Sequence, residues 1–91
     1  MQIEGFHLFQ KRLGRHLQAF RKANHYSQER VGELLGMDRV SIGYIEQGKR
    51  APKLSTLYAL TSLYGITLSE LFAFEQADTG PEIPDSQDSI C

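Results

Sequence analysis

A cysteine pair is missing from this chain. The single thiol is Cys91, the last residue, so no internal disulfide can form, which fits a reducing cytoplasm. Long apolar runs are missing too: nothing approaches the roughly 20 consecutive apolar residues that a membrane span needs. The N-terminal residues MQIEGFHLF lack a positively charged start ahead of an apolar core, so a signal peptide is not expected. No repeat, low-complexity tract or alternating strand pattern occurs. There is no Gly-rich phosphate loop, no Cys pair at metal-ligand spacing and no supported Ser/His/Asp arrangement, which argues against an enzyme and against a cofactor. His7, His16 and His25 stand nine residues apart. On a helix that spacing turns consecutive members by about 180°, so they cannot share a metal. They read as surface or boundary residues.

An excess of charge is absent only in the sum. The 91 residues carry a net −1, yet the charge is unevenly spread. Residues 1–74 hold all ten Lys and Arg against six acids, a net +4. Residues 75–91 hold five acids (Glu75, Asp78, Glu82, Asp85, Asp88) and no Lys or Arg, a net −5. The description that fits is a mildly basic body, 1–74, followed by an acidic tail, 75–91, whose Gly, Ser and two prolines predict flexibility. A body of this size is one domain with a small core, to which dimerisation adds burial.

What is present is helical periodicity. Phe6, Phe9, Leu13, Leu17 and Phe20 lie at spacings of three and four and predict a first helix over 6–24, with Gln10, Lys11, Arg15, Gln18 and Lys22 on its other faces. Asn24 and His25 close it, both being residue types that tolerate a left-handed backbone. Ser27 and Asp38 each precede an apolar helical pattern, where a side-chain oxygen accepts from an orphan backbone N–H. They predict helices over Gln28–Leu35 and Arg39–Gln47, with Gly36 ending the first and Gly32 where two crossing helices come close. After a basic loop, Lys49 to Lys53, the residues Leu54, Leu57, Leu60 and Leu63 predict a fourth helix ending at Gly65. Thr67 and Glu70 form a capping-box pattern for a short fifth helix that turns Leu68, Leu71 and Phe72 inward. The expected fold class is all-α, five helices, with a helix-turn-helix at its centre.

The order of residues resembles the phage-repressor type of helix-turn-helix, the Cro/C1 or XRE family. The residues that carry the resemblance are Leu13-Gly14, Arg21, Ser27-Gln28, Gly36, Ile42, the run Ile45-Glu46-Gln47-Gly48-Lys49-Arg50-Ala51-Pro52, and Leu57. The match spans about residues 10–73. It implies a lambda-repressor-like five-helix domain, a sequence-specific transcriptional regulator that binds double-stranded DNA as a homodimer on an operator with two half-sites.

The family's base-reading positions correspond here to Arg39, Val40, Ser41, Gly43 and Tyr44. Helical spacing supports this: with Ile42 and Ile45 turned to the core, residues 39, 40, 43 and 44 point the other way. Arg39 matches guanine O6 and N7. Val40 is suited either to a thymine methyl or to partial burial. Tyr44 is suited to a base, a thymine methyl or a phosphate, and equally to an exposed aromatic contact with a partner. Gly43 departs from the polar residue usual there. It either brings backbone close to DNA or leaves a base unread. The expected phosphate contacts are Ser27 and Gln28 at a helix N-terminus, with Lys49, Arg50 and Lys53 in the loop. Arg12 and Arg15 sit on a helix that mostly packs. Arg21 and Glu46 are expected, from the resemblance, to form a structural ion pair rather than to read DNA.

The remaining aromatics, with Ile66, exceed what a small core needs, and a dimer contact is expected around Tyr64, Ile66, Phe72 and Phe74. A second function class stays open: an antitoxin or other interaction module whose acidic tail, with Ile83 and Ile90, orders on a partner protein.

Overall fold

The computed structural model describes residues 3–74, with side chains from Gly5 onward, so the expected acidic tail lies outside the described residues. Five helices follow in order: α1 Ile3–Ala23, α2 Gln28–Leu35, α3 Arg39–Gln47, α4 Leu54–Tyr64 and α5 Leu68–Leu71. No strand occurs among the described residues. The first helix begins three residues before the expected start; α2, α3 and α5 begin where the caps predict, and α4 where the leucine spacing does.

Local chemistry sets the boundaries. Ser27 Oγ accepts from the Arg30 N–H at 3.0 Å and Asp38 Oδ1 from the Ser41 N–H at 2.7 Å. Thr67 Oγ1 accepts from the Glu70 N–H at 3.0 Å while the Glu70 carboxylate accepts from the Thr67 N–H at 2.8 Å, a reciprocal capping box. Gly36, Gly48 and Gly65 end α2, α3 and α4 in the left-handed region, and His25 does the same after α1 at φ +63°.

The core is one cluster: Leu13, Leu17, Val31, Ile42, Ile45, Leu57, Leu60, Tyr64 and Leu71. The apolar stripes outrun it. Phe6, Leu34, Leu68 and, at 74 % exposed, Leu54 are open to solvent despite their place in the helical pattern, because nothing among the described residues covers them. Leu68 is therefore a correction to the expected inward trio of α5. Tyr64 moves the other way. It is part of the core, and burial, with the nearby Glu46 carboxylate, pushes its phenol above the ordinary value. Gln10 is buried as well, although it stood among the polar faces of α1.

Candidate nucleic-acid interface

The second helix of the helix-turn-helix, α3, is held from behind by α1. At Gly14 the two backbones meet: a Cβ there would overlap the carbonyl oxygens of Ile45 and Glu46, at 2.5 Å from the latter. Beside this contact lies the ion pair expected from the resemblance. Arg21 Nε donates to Glu46 Oε2 at 2.6 Å and Nη2 to Oε1 at 3.1 Å, a bidentate fork with side chains 9 % and 3 % exposed. Arg21 Nη1 also donates to the Tyr26 carbonyl at 2.8 Å, tying in the connection between α1 and α2. The hydrogen bond and charge of Glu46 hold the guanidinium protonated, above its usual pKa. At the far end of α3, Gln10 Nε2 donates to the Gly48 carbonyl at 2.8 Å, which satisfies an acceptor the helix end leaves open.

The opposite side of α3 faces out. Arg39, Val40 (53 % exposed) and Tyr44 are exposed, and Ser41 is half-buried. Gly43 is not on this face. It is buried, with the Gln28 and Gln47 amides at van der Waals distance from where its Cβ would be. Residue 43 is not open to solvent as the helical wheel suggests, because the Gln28 and Gln47 side chains lie beside it. The loop after α3 folds back onto the same face: Arg50 Nη1 donates to Ser41 Oγ at 2.9 Å. Arg50 Cζ and Lys49 Nζ lie 5.5 and 5.7 Å from the centroid of the Tyr44 ring. Asp38, capping α3, has its carboxyl held below the usual range by the Ser41 hydrogen bonds, with Arg50 adding to the effect.

The expected phosphate set divides. Lys49, Arg50 and Lys53 are exposed. Ser27 spends its hydroxyl oxygen as the α2 cap. Gln28 Nε2 donates to Glu46 Oε1 at 3.0 Å, so its amide belongs first to the buried Arg21–Glu46 network. Arg12 and Arg15 line a shallow groove with His16, Ala19 and Phe74, on the α5 side of α1. Of the expected dimer residues, Ile66, Phe72 and Phe74 are half-buried against the core and Tyr64 is inside it. Phe9 stacks on Phe72 with ring centroids 5.9 Å apart, and Phe74 lies 5.6 Å from it, so α5 is pinned to the start of α1.

Several contacts escape sequence reasoning. His16 Nδ1–H donates to the Leu71 carbonyl and its ring packs on Phe20, so this half-buried boundary residue fastens α5 to α1. Gln10 had a signal: residues 10, 13, 14, 17 and 21 recur at helical spacing, and all five are buried. The fold-back of Arg50 had none. No group of three or more His, Cys, Asp or Glu among the described residues is placed to hold a metal. No helix among them is long and apolar enough to cross a membrane.

The profile of the helix-turn-helix family HTH_3 matches residues 17–71, which contain α2, α3, α4 and α5 whole. The HTH-type transcriptional regulator PuuR of Escherichia coli K12 is 36 % identical over 77 residues, 85 % of this chain. The chain spans 42 % of the length of PuuR. The restriction-modification controller protein C.AhdI of Aeromonas hydrophila superposes with a TM-score of 0.68 at 32 % identity, over 72 % of this chain and 96 % of its own. An HTH_3 family transcriptional regulator from Vibrio cholerae shares the fold, with a TM-score of 0.66 at 24 % identity over 79 % of this chain and 40 % of its own. The chain belongs to the HTH_3, or Cro/C1-type XRE, helix-turn-helix family of DNA-binding transcriptional regulators, which are not enzymes.

Proposed function

We propose that this chain is a sequence-specific regulator that works in the cytoplasm as a homodimer, each copy laying α3 in the major groove at one half of a two-fold symmetric operator. The observation that supports it is the first turn of α3. Arg39 and Val40 project from a helix whose back is fixed by a buried ion pair and by backbone contact with α1. A rigid support of this kind suits side chains that must meet base edges within hydrogen-bond tolerance. In this reading Arg39 takes guanine O6 and N7, and Val40 packs on a thymine methyl. Ser41 and Tyr44 edge the same surface. Gly43 reads no base. Lys49, Arg50 and Lys53 neutralise phosphates, and the α2 N-terminus at Ser27 and Gln28 offers backbone N–H groups to another.

The dimer contact falls on the segment from Tyr64 to Phe74, where Ile66, Phe72 and Phe74 are half-buried and Leu68 is exposed. Tyr64 supports that surface from the core. The names of PuuR and C.AhdI, a transcriptional regulator and a controller protein, favour regulation as the outcome of binding.

The test is selection of duplex DNA from a random pool at about 0.15 M ionic strength, where only short-range charge contacts survive screening. Wild type and Arg39→Ala are run side by side. The wild type is expected to enrich a two-fold symmetric site, and the variant to lose preference at one position in each half. Loss of one bidentate contact corresponds to about 1–3 kcal/mol of discrimination. A wild-type pool with no enriched sequence overturns the reading.

A further inference from the structure

Tyr44 was expected among the base readers, yet its ring already has two partners. We propose that Tyr44 is a positioning residue: its ring, with the Ser41 hydroxyl, holds Lys49 and Arg50 on the outer face of α3 so that both cations meet DNA phosphates together. The proposal rests on the DNA-binding reading above and assigns Tyr44 a role within it.

Three observations carry it. Lys49 Nζ and Arg50 Cζ both lie within the roughly 6 Å over which a cation is attracted by an aromatic ring. Arg50 also donates to Ser41 Oγ at 2.9 Å across nine residues of chain, which draws its guanidinium back over the first half of α3. That is an unfavourable place for a cation, because the helix N-terminus is the positive end of the dipole and Arg39 already sits there. The nearby carboxylate, Asp38, has Oδ1 committed to the Ser41 N–H as a cap. Asp38 attracts Arg50 at a distance, but the groups in direct contact with the loop cations, the Tyr44 ring and the Ser41 hydroxyl, are neutral. An acid at position 44 would order Lys49 and Arg50 as well, but it would cancel their charge and repel phosphate. A ring orders them and leaves their charge available. The same arrangement occupies the ring with cations where a base or a thymine methyl would have to stack.

The test needs no knowledge of the operator. Binding of the full chain to an arbitrary duplex two helical turns long is followed by fluorescence anisotropy through a salt series. The proteins are wild type, Tyr44→Phe, Tyr44→Ala, the double variant Lys49→Ala/Arg50→Ala, and that double variant with Tyr44→Ala added. Each phosphate contact contributes about 0.9 to the slope of log affinity against log salt. Tyr44→Ala is expected to flatten the slope by about 1–2, Tyr44→Phe to keep it, and Tyr44→Ala to cost nothing further in the double-variant background. Tyr44 is exposed, so its variants should melt as the wild type does. An unchanged slope for Tyr44→Ala overturns the proposal, as does an equal loss of affinity in both backgrounds. If the wild type itself shows no salt-dependent binding, the DNA reading fails, and this role fails with it.

Discussion

Glu46 shows how one buried carboxylate can serve three elements. Its Oε2 accepts from Arg21 on α1, and its Oε1 accepts from both Arg21 and Gln28, the first residue of α2. Replacing it by glutamine keeps the volume and removes the charge, leaving the Arg21 guanidinium buried without its counterion. Breaking one side of a fully buried pair costs about 3–5 kcal/mol, and the slight exposure here places the effect at the lower end. The expected outcome for Glu46→Gln is a urea unfolding midpoint lowered by about 3 kcal/mol of stability, with base preference in DNA selection unchanged. A variant as stable as the wild type that selects a different operator would make Glu46 a reader and remove its structural role. The resemblance implies the pair itself. Its geometry also gathers Tyr26 and Gln28, which no pairwise reading of Arg21 and Glu46 contains.

Among the helices, two glycines make the sharpest contrast. Gly14 on α1 and Gly43 on α3 are both buried inside helices, and both carry the propensity penalty of glycine. At Gly14 a methyl group would strike backbone carbonyls of α3, which cannot step aside. At Gly43 the nearest atoms to a new methyl are side-chain amides of Gln28 and Gln47 at 3.6 to 3.8 Å, ordinary contact distances. One substitution should thus act with opposite signs. Gly14→Ala is expected to destabilise by about 1–3 kcal/mol through overpacking. Gly43→Ala is expected to stabilise by about 0.5–1 kcal/mol through helix propensity. Urea unfolding of the two variants checks both, and a stabilising Gly14→Ala would mean that α1 does not rest on α3 backbone to backbone. The helices themselves were legible in the chain because Ser27, Asp38 and Thr67 each act on a residue three positions away, and Gly36, Gly48 and Gly65 act on their own backbone. The exposed first turn of α3 was legible for the same reason, from the inward period of Ile42 and Ile45. What periodicity does not encode is contact between elements. Gln28 lying over Gly43, Gln10 reaching Gly48, and Arg50 returning to Ser41 all depend on where a second segment passes.

At the scale of the whole molecule the governing quantity is the split in charge. The body carries +4 and the tail −5, so the chain is nearly neutral while α3 and the loop after it, with Arg39, Lys49, Arg50 and Lys53 exposed, are cationic. A neutral protein gains little from long-range attraction to DNA, and the tail's five acids oppose the approach of a polyanion wherever the tail lies within a Debye length, about 10 Å at 0.1 M salt. Replacing Glu75, Asp78, Glu82, Asp85 and Asp88 by their amides removes this opposition without touching α3. The expected result is tighter binding to any duplex at low salt, a gain that shrinks as salt rises, and an unchanged sequence preference, because base edges are read at contact distance and the tail's charge acts at long range. Anisotropy titrations at low and high salt, paired with selection, check each part. If the amide-substituted chain binds no better at low salt, the tail's charge does not act on DNA. Its acids then point to the other open role, a surface for a partner protein, and co-purification with the tail intact and neutralised would follow that up.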